Sequence, residues 1–236
     1  LEEVIKKIKH AGLCAYDTEC YGNHPLDMVL VGISLCYENG SAYYIPCNHA
    51  TEETQLRLSD IMPLLKALFE DASIKKIAHH AKFDKHVLAN AGINERGLFF
   101  DTMIASSLVK KEWQKNGLKE LSEQYLNESM MSYEETVTAH KRKNFAEVPL
   151  QEATEYAAAD AHQTFRLYNP LEKLLEEKGA SPLYYTIELP VLEVLCGMEI
   201  RGILCDPTIL YDLGKQVDKA LDDLRSKIFV FIGPDQ

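Results

Sequence analysis

Three short stretches of this chain place carboxylates where an apolar element ends or packs. Asp17 and Glu19 follow the apolar run Leu13-Cys14-Ala15-Tyr16, with Thr18 between them. Side chains alternate along a strand, so Leu13, Ala15, Asp17 and Glu19 share one face, and Cys14 and Tyr16 the other. Two carboxylates on one face at the rim of a core need a cation, a proton or open water. Taken alone, the pair is better read as an exposed turn after a strand. Asp84 closes the segment Ile77-Ala78-His79-His80-Ala81-Lys82-Phe83-Asp84, where a second apolar strand breaks into a helix, with His80 one turn from Asp84 on a single face. An ordinary first-turn acid is the alternative, because helix N-termini favour anions. Asp160 lies on the stripe Ala153, Tyr156/Ala157, Asp160, Thr164, Leu167/Tyr168, Leu171, at a place the helical period assigns to a hydrophobe. Alanines at 157, 158, 159 and 161 let that helix lie close to a sheet. A carboxylate there needs a cation or a donor, a neighbouring helix N-terminus being the other candidate. Tyr156 is one turn earlier on the same face, within reach of the same pocket.

Asp17, Glu19, Asp84 and Asp160 therefore come from three separated segments, and their oxygen donors suit magnesium or manganese. Two such ions, about 3.5–4 Å apart, are a usual device for in-line phosphodiester hydrolysis. The adjacent His79 and His80 do not make a zinc site, since consecutive residues rarely ligate one metal and no further nitrogen or thiolate has suitable spacing.

The elements that must hold these groups follow from hydrophobic pattern. A short amphipathic helix over Leu1–His10 precedes Gly12 and the first strand. Met28–Tyr37 and Ser41–Pro46, joined through Glu38-Asn39-Gly40, read as a hairpin and complete a three-stranded meander. A helix is expected over Thr51–Asp71 with Pro63 in its first turn or kinking it, then a strand over Ser73–Ala78 and a helix over Ala81–Ala91. A brief strand Leu98–Phe100 and a helix Thr102–Val109 follow. Beyond them only helices are expected: Leu118–Leu126, Tyr133–Thr138 and a long one from Gln151. Strands first and helices after indicate an α/β domain with a helical remainder.

The chain has 236 residues and a formal net charge of −11, which argues against a general electrostatic footprint for nucleic acid. Bound cations or a basic neighbouring domain would have to supply the attraction. Lys110–Lys119 and Ala139–Asn144 are the basic, loop-like segments best suited to touch phosphates. Cys14, Cys20, Cys36, Cys47, Cys196 and Cys205 lack paired metal-ligand spacing and read as reduced, buried, intracellular thiols. No apolar run is long enough to span a bilayer, and the N-terminus lacks signal-peptide shape. The start at Leu-Glu-Glu, without Met, suggests a piece of a longer protein.

Asp17-Thr18-Glu19, Lys82-Phe83-Asp84 and Tyr156-Ala157-Ala158-Ala159-Asp160 resemble, in that order, the three motifs of the 3′–5′ proofreading exonucleases. Val31-Gly32-Ile33-Ser34, Ala42-Tyr43-Tyr44-Ile45-Pro46, Phe100-Asp101-Thr102-Met103 and Leu118–Leu126 resemble in particular the exonuclease domain of bacterial DNA polymerase I. Ile187–Leu192 and Met198–Ile203, then Asp206, look like the start of its polymerase domain. The resemblance implies an RNase H-like fold, a five-stranded mixed sheet flanked by helices and followed by a helical C-terminal segment. The exonuclease domain would occupy 1–180, and the truncated helical start of the polymerase domain 181–236.

The resemblance also implies two divalent cations, Mg2+ or Mn2+. Asp17 would bridge both, Glu19 and Asp160 would complete the tighter site, and Asp84 would hold the second ion partly through water. Tyr156 would orient the attacking water. Thr18, His80, Lys82, Tyr133 and Lys115 are the implied substrate-binding residues, with Lys82 on the phosphate backbone and Tyr133 stacked on a terminal base. His80 and His79 stand where the family usually has asparagine and glutamine. Asn23 falls near the place of a wedging leucine, a role open to Leu26, and Lys115 stands roughly where some members have arginine. The implied substrate is a single-stranded 3′ end of DNA, the partner the polymerase domain of the parent chain, and the location cytoplasmic and nucleoid-associated, with no membrane contact. An exoribonuclease resembling RNase D and a catalytically silent structural module are the competing readings.

Overall fold

The computed structural model describes residues 1–233. Two compact units are present, Leu1–Ile200 and a second from Arg201 onward. The first is built on a five-stranded mixed sheet of order β3-β2-β1-β4-β5. Strand β1 spans Leu13–Tyr21, β2 Val29–Glu38, β3 Ser41–Pro46, β4 Lys75–Ala78 and β5 Leu98–Asp101. β1 is antiparallel to β2 and β2 to β3, the expected meander, whereas β4 pairs parallel with β1 and β5 parallel with β4.

Helices cover both faces. On one side lie α1 (Glu2–Ala11), α2 (Leu58–Phe69) and α3 (Ala81–Asn90). Ile5, Ile8, Leu65, Leu68, Val87 and Leu88 meet Cys14 and Tyr16 of β1 there. On the other lie α4 (Thr102–Val109), α5 (Leu118–Leu121, running into a π turn over Ser122–Leu126) and α6 (Leu150–Glu177). Ala105, Val109, Leu121, Ala161, Leu167 and Leu171 enclose Ala15 of β1 with Ile77 and Phe100. The alternation of β1 thus divides as its sequence requires. Cys14 and Tyr16 enter one core layer, and Leu13 and Ala15 the other. The unit continues through α7 (Ser181–Leu183) and α8 (Leu189–Arg201).

The second unit carries α9 (Pro207–Ile232), N-capped by Asp206, whose carboxylate accepts the Thr208 N–H at 2.9 Å. No residue of α9 is buried. Among the described residues no helix is long and apolar enough to cross a membrane. All six cysteines are free; four are buried as expected, but Cys20 is half-buried and Cys205 exposed.

Several element bounds depart from the sequence expectations. The helix expected over Thr51–Asp71 begins only at Leu58. Its polar first part is held as a loop instead: Gln55 exchanges two hydrogen bonds with the His49 backbone, both 2.8 Å. Glu53 accepts the Leu150 N–H at 2.9 Å, satisfying a free donor at the start of α6. Even with this later start Pro63 lies inside the helix, past its first turn. The segment expected as a helix over Tyr133–Thr138 is a π turn over Glu134–Thr138.

Candidate active site

The carboxyl end of β1 outruns its parallel neighbour. β4 pairs with β1 only from Leu13 to Ala15, because the chain leaves β4 at Ala78 to begin α3. Past Ala15 the β1 backbone on that side lacks a ladder partner, and a side chain takes its place. The Asp84 Oδ1 accepts the Thr18 N–H at 3.0 Å and the Thr18 hydroxyl at 2.6 Å. On the other edge β1 keeps its pairing with β2 to Tyr21, with an irregularity between Glu19 and Cys20. A crevice therefore opens at the strand end, with α6 crossing the sheet beside it.

Asp17, Glu19 and Asp160 converge there. Each offers a carboxylate oxygen, and the three oxygens lie within 4.8 Å of one another. Asp17 is half-buried, while Glu19 and Asp160 are buried. Glu19 Oε1 is a buried acceptor without a hydrogen-bond partner. Like charges so close in a dry site resist ionisation together. Burial, then the carboxylates of Asp84, Asp160 and Glu19, raise Asp17 well above the ordinary value. Glu19 rises for the same reasons, opposed by the Lys119 ammonium. Burial pushes Asp160 up to about 7, with Lys119 again opposing. Asp84 rises by burial to about 8 in spite of its two bonds from Thr18.

Tyr156 is buried next to this cluster. Its ring packs against Phe145 at 5.4 Å between centroids, and Lys119 Nζ lies over it at 5.1 Å. Burial, with Asp160, Glu19 and Asp17 nearby, keeps its phenol protonated.

Glu19 is also framed from the sheet. It pairs with Gly32, and a Cβ at Gly32 would lie 2.2 Å from the Tyr44 hydroxyl, so the glycine makes room for that ring. The His49 Nδ1–H donates to the Val148 carbonyl at 2.9 Å, which leaves Nε2 to accept the Tyr44 hydroxyl at 2.7 Å. β3 is thereby tied to the residues just ahead of α6.

The remaining sequence candidates are placed variously. Tyr133 lines a cleft of about 620 Å³ with Cys20, Tyr21, Asn23, Phe83 and Lys143, just past Glu19. Thr18 turns its hydroxyl to Asp84 and so positions an acid. His80 does not share a helical face with Asp84. It stands ahead of α3 in the left-handed region at φ 65°, exposed and stacked on Phe83. Lys82 is paired with Glu199 of α8. Lys115 is exposed and pairs with Glu120 at 3.5 Å, and Lys119 is the lysine this segment brings to the acids. Leu26 is exposed in a short 3₁₀ turn over Pro25–Asp27.

Sequence reading passed over three residues. Lys119 lies within a basic segment whose charges have no distinguishing pattern. Phe83 stands inside the motif Lys82-Phe83-Asp84 with no role of its own assigned to it. Asp101 caps two helices at once, accepting the Ala81 N–H of α3 at 2.7 Å and those of Met103 and Ile104 of α4 at 2.9 and 3.0 Å. An aspartate between a strand and a helical run is the available signal for that role.

The sheet, its flanking helices and the acids at the end of its central strand define an RNase H-like exonuclease fold. A family model described as 3′–5′ exonuclease, of the A-type DNA polymerases, matches residues 1–176, and the chain belongs to that family. DNA polymerase I of Chloroflexus aurantiacus is 40% identical over 233 residues, which are 97% of this chain and 24% of that protein. The chain thus spans about a quarter of the length of the curated relatives it matches. Among solved structures, Brucella melitensis NrnC with bound Mg2+ is 29% identical with a TM-score of 0.63, covering 81% of this chain and 86% of that one. Escherichia coli RNase D is similar in fold, at 21% identity and a TM-score of 0.63, covering 83% of this chain and 48% of that one.

Proposed function

We propose that this chain is a metal-dependent exonuclease that removes nucleotides from the single-stranded 3′ end of DNA, as the proofreading part of a DNA polymerase I-like parent. The observation that carries the reading is the meeting of Asp17, Glu19 and Asp160 within 4.8 Å in a chain of this family. A set of hard oxygen donors with an orphaned buried oxygen on Glu19 fits a divalent cation such as Mg2+ or Mn2+. Asp17, Glu19 and Asp160 would hold it, and Asp84 would serve a second ion with Oδ2, because Oδ1 is spent on Thr18. Bound there, divalent cations supply the positive charge that activates water and stabilises the leaving oxygen.

The protein's own groups do the rest. The protonated Tyr156 hydroxyl makes no hydrogen bond among the described residues and is free to orient the attacking water. The cleft past Glu19 receives the terminal nucleotides, with Tyr133 and Phe83 offering aromatic faces and Lys143 a charge for a phosphate. Water adds to phosphorus, the bond to the 3′ oxygen of the preceding nucleotide breaks, and that oxygen leaves with a proton. The product is a nucleoside 5′-monophosphate. On this reading 181–236 is the start of the polymerase domain and the setting is cytoplasmic and nucleoid-associated.

The test is digestion of 3′-labelled single-stranded DNA and RNA with Mg2+ or Mn2+, for the wild type and Asp17→Ala. Mononucleotide release from DNA, lost in the variant, is expected. No release from either substrate would overturn the enzymatic reading, and preference for RNA would move it to an exoribonuclease.

A further inference from the structure

We propose that Lys119 is a further substrate-contacting residue of this site, its ammonium binding a non-bridging oxygen of the scissile phosphate on the Tyr156 side of the acids. The inference rests on the exonuclease reading. It starts from how α5 is seated. Leu121 is fully buried and Leu118 packs against the same core cluster, so the single α5 turn is fixed beside α6. Lys119 lies between them on that turn, partly exposed, and reaches Tyr156 with Nζ 5.1 Å from the ring centroid. The ring is held from another side by Phe145, so the lysine stands at a fixed surface.

The charge of Lys119 is not consumed. Lys82 pairs with Glu199, Lys85 with Glu95 and Glu193, and Lys115 with Glu120. Among the described residues Lys119 makes no ion pair within 4.0 Å and its ammonium no hydrogen bond. It is nevertheless the cation that acts on both Glu19 and Asp160. An ammonium kept within the field of a carboxylate cluster, but out of contact with it, has three donors left for another anion. The contact with the Tyr156 ring is weak at a partly exposed position, so it orients the lysine without holding it. A phosphodiester whose bond is being broken gathers negative charge on its non-bridging oxygens next to these acids, where a donor fixed in advance stabilises the transition state. The ammonium acts there only as a hydrogen-bond donor.

Two measurements test this on the full chain. Lysine acetylation followed by mass spectrometry is run with Mg2+ and thymidine 5′-monophosphate, or with Mg2+ and thymidine. Protection of Lys119 by the monophosphate and not by the nucleoside is expected, with Lys115 labelled equally in both. Equal labelling of Lys119 in both would overturn the proposal, since a lysine that only supports Tyr156 does not distinguish the two ligands. In parallel, Lys119→Gln is expected to lower kcat ~10- to 100-fold with KM changed less than about threefold and an unchanged melting temperature, while Lys119→Arg recovers most of kcat. A wild type that digests DNA, with Lys119→Gln equally fast, would sink the proposal and leave the exonuclease reading intact. A wild type that releases no mononucleotide would sink the reading itself, and this inference with it.

Discussion

Asp160 shows most directly what the site demands of one residue. It occupies a buried place on α6, and in the absence of a cation its carboxyl ionises only near pH 7. An acid whose pKa is raised on folding binds its proton more tightly in the folded state than in the unfolded one. Its burial is therefore tolerated below the unfolded value near 4, and folded stability falls as pH rises from there through about 7. Asp84, raised to about 8, adds to the same trend. The metal-free protein should melt at lower temperature at pH 8 than at pH 5, and Mg2+ should raise the melting temperature more at pH 8. Asp160→Asn should melt higher than the wild type at pH 8 without metal, yet lose ~1000-fold or more in nuclease rate, because several kcal/mol of charge stabilisation are forfeited. Scanning calorimetry and digestion of labelled DNA check both halves. A wild-type melting temperature that climbs between pH 5 and pH 8 without metal would contradict the account.

At the level of elements, the site depends on mismatched strand lengths and on small residues placed where two elements meet. β4 stops at Ala78 while β1 continues to Tyr21, and Asp84 covers the uncovered Thr18 N–H. Gly32 yields its side-chain space to Tyr44, opposite Glu19. Gly32→Ala forces the Tyr44 ring to move and strains its bond to His49, so a loss of about 1–3 kcal/mol is expected. Urea unfolding measures it, and an unchanged midpoint would show that the ring is not confined there. Asp101 is a comparable junction, since one buried carboxylate caps both α3 and α4. Asp101→Ala should cost about 1–4 kcal/mol, two caps at their usual worth, and should reduce nuclease activity by loosening α3 and with it Asp84. Stability in urea and the rate at saturating substrate report these separately.

For the whole molecule, charge governs the encounter with substrate. A net charge of −11 repels a polyanion. Single-stranded DNA should therefore bind weakly without divalent cations and more tightly with Ca2+ or Mg2+, an effect that fluorescence anisotropy with a cleavage-resistant 3′ phosphorothioate oligonucleotide would follow. Equal affinity with and without the cation would place the binding surface away from the acids. Lys143 is the one basic residue in the described lining of the cleft, so a shallow dependence on monovalent salt is expected.

The pattern of the chain was enough for the alternation of β1, the hairpin after it, the helices around Asp84 and Asp160, and the acids as a group. These are local consequences of period, turn chemistry and motif spacing, and they survive in the structure with small shifts of boundary. It did not determine that Thr51–Arg57 stays out of the helix, because Gln55 and Glu53 find partners at His49 and Leu150, the latter 97 residues along the chain. Nor did it show that Thr18 serves Asp84, that His80 leaves the α3 face, or that Lys119 and not Lys115 stands by the acids. Each of those outcomes is decided by which distant donor, acceptor or ring occupies the neighbouring space. The carboxylates could be named from the chain; their mutual distance, and the ammonium left unpaired beside them, exist only once α5 and α6 have packed beside the end of β1.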